Sequence, residues 1–133
     1  MSSMSTLRTE LAQFTGSTQW FRHAFNRAVI YTEGMQYLAE EGEAHWLIDA
    51  IASHIGSDEF RRAADLDSRV GLMHFWKLAV NPDHTATLKA VADSGEQPFI
   101  MQEIEFTDIP LDVIDVWAKN DAGLWTLLLP SEY

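Results

Sequence analysis

Beyond Asp67 the chain breaks into five short apolar runs, "RVGLMHFWKLAV", "TATLKAVAD", "FIMQEIEF", "VIDVWA" and "LWTLLLP". Between them lie only "NPDH", "SGEQP", "TDIPLD" and "KNDAG". Runs this short and this rich in β-branched and aromatic residues read as strands. Connections of a few turn-forming residues join antiparallel neighbours, because a parallel pair needs a long crossover. This half is therefore expected to be a five-stranded antiparallel meander. Ile100, Gln102, Ile104 and Phe106 alternate with Met101, Glu103 and Glu105, so one face of the sheet is wet and the other needs a cover.

The first half supplies that cover. Leu7, Leu11 and Phe14 recur at helical spacing before "TGS" breaks the pattern. "QWFRHAFNRAVIY" reads as extended chain, or two short strands around Asn26. Thr32 can cap a helix, "EGMQYLAEE", which Gly42 stops. A second helix, "EAHWLIDAIASHI", follows directly and ends at Gly56, with Ala44, Leu47, Ile48, Ile51 and Ile55 as its inward stripe. Ser57 can cap a third short helix, "DEFRRAAD". The expected fold is α+β in one domain, residues 1–133. Helices (about residues 1–66) pack on one face of a mainly antiparallel five-stranded sheet (about residues 68–133). The C-terminal "LWTLLLP" is read as an exposed edge strand through which the chain could form a homodimer.

Composition narrows the function classes. A hydrophobic content of 47% with five Trp and seven Phe excludes a disordered chain. No apolar run approaches the roughly 20 residues of a bilayer span, and "MSSMSTLRTELAQF" lacks a signal core, so a cytoplasmic protein with no membrane contact is expected. With no cysteine, disulfides, thiolate zinc sites and thiol nucleophiles are excluded. A net charge of −11 repels phosphate backbones, so direct nucleic-acid binding is not expected. The acidity either keeps the protein soluble or is aimed at a basic partner or cation; its scatter along the chain favours solubility.

Two stretches carry candidate chemistry. In the second helix, His45 and Asp49 are four residues apart on a shared flank, where they can form a surface ion pair, while His54 lies on the opposite flank. No metal site is expected, because two ligands do not make one. Trp46 falls on the outer face, so it either meets another element or marks a partner surface with His45 and Asp49. In "WFRH…YTEG", Arg22, His23 and Arg27 form the only locally basic part of an acidic chain. With Tyr31 nearby they can grip an anion; alternatively Arg22 or Arg27 pairs with Glu33 or another acid. In the sheet half, His74 shares a face with Leu72, Trp76 and Leu78 and reads as a core-margin histidine. Glu103 and Glu105 read as a solvated face, and His84 as a turn residue. No nucleophile elbow, phosphate loop or dinucleotide fingerprint is present, and no cofactor is implied.

The pieces "FTG", "WFRH", "YTEG", "HWLIDAIASH", "FTDIPL" and "LLLPSEY" together resemble a family of small bacterial proteins of unknown function, often encoded on phages, plasmids and integrated elements. The resemblance runs from about Leu11 to Tyr133. It implies a bacterial cytoplasmic setting and an α+β fold, and brings no catalytic residues with it. The function expected is that of a non-catalytic accessory protein with an acidic surface, binding another protein. The alternative is a small enzyme or ligand binder with a His/Arg/Tyr cleft between helices and sheet.

Overall fold

Helices begin where the sequence offers caps. Thr32 Oγ1 accepts from Met35 N at 3.3 Å to open α2 (Glu33–Glu41), and Ser57 Oγ accepts from Phe60 N at 3.2 Å to open α4 (Asp58–Leu66). Between them, α3 (His45–His54) has no side-chain cap; Glu43, at φ 52, reverses the chain into it. Its stripe of Ala44, Leu47, Ile48, Ile51 and Ile55 is buried throughout. A shorter α1 (Met4–Leu11) precedes these and buries Leu7. These elements come from a computed structural model that describes residues 4–15, 19–93 and 95–133. Gly16 and Ser17 of the expected helix break, and Ser94 of the expected "SGEQP" turn, lie outside the described residues.

The fold is α+β as expected, but the sheet is larger than the meander. It has seven strands in the order β1-β2-β7-β6-β3-β4-β5. The five expected strands are present as β3 (Met73–Val80), β4 (Ala86–Val91), β5 (Ile100–Ile104), β6 (Val113–Asp121) and β7 (Leu124–Leu128). They are joined by β1 (Trp20–Arg22) and β2 (Val29–Thr32), an antiparallel pair flanking the Asn26 turn. β2 lies parallel to β7, with Val29 opposite Trp125 and Tyr31 opposite Leu127. The sheet is thus mixed, and β7 is interior, held by β2 on one side and β6 on the other. This corrects both the strand count and the reading of "LWTLLLP" as an edge open for dimerisation; the edges are β1 and β5. The physical sign was in the segment itself, since a strand apolar at nearly every position belongs to the interior of a sheet more readily than to its edge.

That parallel pair dictates where the helices go. β7–β6 and β6–β3 are both antiparallel, so β3 runs in the same direction as β2 and β7. The segment α2–α3–α4 is therefore the crossover between two parallel strands of one sheet, and it lies over one face. His54 stacks on Trp76, while Phe60 meets the rings of His74 and Trp125. The covered face contributes Trp76, Leu78, Leu88, Ala118, Val116 and Leu127 to the core. Among the described residues no helix is long and apolar enough to cross a membrane.

A 3₁₀ turn, Pro130–Glu132, returns the chain to the start of α2. There Glu132 Oε1 accepts from Thr32 Oγ1 (2.6 Å) and Leu129 N (3.0 Å), and Oε2 accepts from Gly34 N (3.2 Å). The carboxylate sits where the helix exposes unpaired N–H groups and its positive dipole end. Gly34 leaves room for it: a Cβ there would lie 2.6 Å from Glu132 Oε1. Glu132→Ala is expected to cost about 1–3 kcal/mol in chemical denaturation. Gly34→Ala should also destabilise in the same assay, although helix propensity alone favours alanine by about 1 kcal/mol.

Candidate functional site

The residues singled out from the first half do not form one grip. In the β1–β2 register Phe21 faces Tyr31 and Arg22 faces Ile30, so alternation puts Tyr31 on the helix-covered face and Arg22 on the other. Arg27 lies in the intervening loop, exposed. Among the described residues neither arginine has an ion-pair partner, and Glu33, offered as a mate, instead accepts from Gln19 N at 2.9 Å. The expected His/Arg/Tyr cleft is divided across the two faces of the sheet.

His23 is buried and fully engaged. Backbone N–H groups of Phe25 (3.2 Å) and Asn26 (3.0 Å) donate to Nδ1, so the ring proton is on Nε2, which donates to Asp49 Oδ1 at 2.8 Å. Asn26 Nδ2 donates to the carbonyls of Ala52 (2.9 Å) and Ile55 (3.0 Å), satisfying the end of α3. His23 and Asn26 therefore latch the β1–β2 loop onto α3. This corrects the expected His45–Asp49 pair: Asp49 turns to the buried imidazole, and His45 stays exposed. Tyr31, stacked on Phe21 at 5.6 Å, has its hydroxyl pKa raised by burial first and by the Asp49 and Glu40 charges second. Trp46 is half-buried against the core, so it offers no projecting anchor.

His74 lies deeper than the core margin, fully buried, with rings of Phe60, Trp76, Phe99 and Trp125 within 4.9–5.7 Å. Nδ1 donates to Val70 O at 3.1 Å, while Nε2 has no partner among the described residues. His54 Nε2 lies 2.7 Å from Gln102 Oε1, and His84 Nδ1 lies 3.2 Å from Thr107 O, at a turn where φ is 69. Among the described residues no three His, Asp or Glu side chains gather to hold a metal ion.

A surface not singled out from sequence lies on the face that the helices leave bare. The register stacks side chains there into two cross-strand rows. One is apolar: Val91, Phe75, Trp117 and Leu128. The next is polar: Lys89, Lys77 and Asp115. Phe75 meets Trp117 edge-to-face at 5.4 Å, Trp117 meets Tyr133 at 5.2 Å, and Lys119 Nζ stands 5.9 Å from the Tyr133 ring. These rows floor a cleft of about 700 Å³, walled by Gly95, Glu96 and Pro98 on one side and Pro130 on the other. Lys77, Lys89 and Lys119 are all the lysines of a −11 chain, and their strand parity puts every one on this face.

Arg69 and Lys77 offset part of the acidic charge around the cleft. Arg69 reaches Asp67 (2.7 Å), Glu96 (2.9 Å) and Asp93 (3.8 Å), and its bonds hold the Asp67 carboxyl below the usual carboxylate range. Asp115 lies 3.7 Å from Lys77. Lys89 is half-buried and has no carboxylate partner among the described residues. The signal for this surface was parity: Phe75, Lys77, Lys89, Val91, Asp115, Trp117 and Lys119 all alternate with core residues of their strands.

Fold and surface together define a small α+β protein with a helix-backed mixed sheet and a bare aromatic–cationic face. The chain belongs to DUF6876, a family of unknown function whose model matches residues 5–133. No curated protein and no solved structure matches it.

Burial pushes the His74 pKa from 6.5 down to about 4. The unfolded chain thus binds this proton first, and stability present above pH 6.5 is lost as pH falls toward 4. At most about 3 kcal/mol is involved. Denaturation of wild type and His74→Leu across this interval should show a shallower pH dependence in the variant.

Proposed function

We propose that the protein is a non-catalytic binding protein of the bacterial cytoplasm whose working surface is the helix-free sheet face, and that it takes an anionic ligand there. The observation that carries this reading is the gathering of Lys77, Lys89 and Lys119 onto that face around Phe75 and Trp117. In a chain of net charge −11 these three lysines offer an anion cationic partners on one surface. Binding is favoured over turnover because the described lining holds no histidine or hydroxyl nucleophile, and Asp93, Glu96 and Asp115 are committed to Arg69 and Lys77. His23, whose two nitrogens are spent on the loop latch, is not free to act as a base.

Inorganic pyrophosphate is a suitable probe, followed by amide shifts in isotope-labelled protein. Shifts are expected at residues 75–77, 89–91 and 115–119, weakening with salt. Lys77→Gln and Lys89→Gln should each reduce affinity about two- to fivefold. Shifts confined to the Arg22–Arg27 segment or to Arg61 and Arg62 on α4 would overturn the assignment.

A further inference from the structure

Resting on that reading, we propose that the ligand of the cleft is a small molecule joining a flat aromatic ring to a compact anionic group, of the size and chemistry of a nucleoside monophosphate. The two rows on the sheet specify the two halves of such a molecule. Phe75 and Trp117 stand edge-to-face with Val91 beside them, so a flat ring can stack on the face of one and meet the edge of the other. Lys89 and Lys77 stand directly opposite each other in the next row, two residues along the strands. At about 3.4 Å per residue the rows are about 7 Å apart, a span comparable to that from base to phosphate across a sugar.

Electrostatics selects the anionic end. Lys89 is half-buried and its ammonium group has no carboxylate partner among the described residues; Lys77 holds Asp115 only loosely, at 3.7 Å. An entering phosphate would satisfy both ammonium groups, while Arg69 reduces the repulsion from Asp93 and Glu96. Size favours a small ligand. The cleft of about 700 Å³, lined by Pro98 and Pro130 among others, is within the range of small-molecule sites. Beyond those walls the −11 surface repels any further phosphates.

The test titrates the full chain with each of the four ribonucleoside 5′-monophosphates, with the matching nucleosides, with inorganic phosphate and with a short single-stranded RNA. Amide shifts and tryptophan fluorescence are the readouts. At least one monophosphate should shift residues 75–77, 89–91 and 115–117 and bind about tenfold more tightly than inorganic phosphate. Trp117→Leu should remove that advantage while leaving phosphate binding unchanged, and Lys89→Gln should weaken both. Phe75→Leu provides the second ring variant, and thermal melts establish that each variant is folded. Equal affinity for monophosphate and inorganic phosphate at this face would overturn the ring half and leave the anion surface standing. Tighter binding of the RNA than of every monophosphate would overturn the small-ligand assignment. No shift at this face with any probe would overturn both.

Discussion

Everything distinctive about this molecule depends on the parallel ladder between Val29–Thr32 and Leu124–Leu128. It joins residues nearly the whole chain apart, so it is formed against a substantial loop-closure entropy. Once made, it sets the direction of the first half relative to the meander and turns three helices into one crossover. Those helices then cover one face together. The other face is left to the short 3₁₀ turn and Tyr133, which reach only its margin, and Glu132 pins that turn to the start of α2.

The two faces are built from opposite materials. The covered face is aliphatic and aromatic, and it tolerates His74 only as a neutral imidazole bonded through one nitrogen. The bare face alternates aromatic and cationic rows, in a protein whose remaining surface is strongly acidic. The lysines stand beside half-buried rings, and Asp93, Glu96 and Asp115 near them are paired with Arg69 or Lys77.

Local chemistry was legible in the sequence and long-range pairing was not. The caps at Thr32 and Ser57, the stripe of α3 and all five C-terminal strands follow from periodicity and turn residues that act over a few positions. β1 and β2, readable as two short strands around Asn26, were not joined to the sheet because four residues of β2 carry too little pattern to name a ladder some hundred residues away. The same limit hid the mate of Asp49. His45 was its neighbour along the helix, whereas His23 comes from a loop across the fold and is held in place by backbone donors. The lysine rows needed the register of β3, β4 and β6 before their shared face could be read, although their parity was present in each strand.

The bare face is the claim on which the functional reading stands, and proton–proton contacts measure it directly. In a nuclear Overhauser spectrum of the labelled chain, the rings of Phe75 and Trp117 should contact Val91, Leu128 and Tyr133, with cross-strand contacts joining Val29 to Trp125 and Tyr31 to Leu127. No methyl of the four helices should reach either ring. Contacts from helix methyls to Phe75 or Trp117, or the absence of the β2–β7 ladder, would contradict the account.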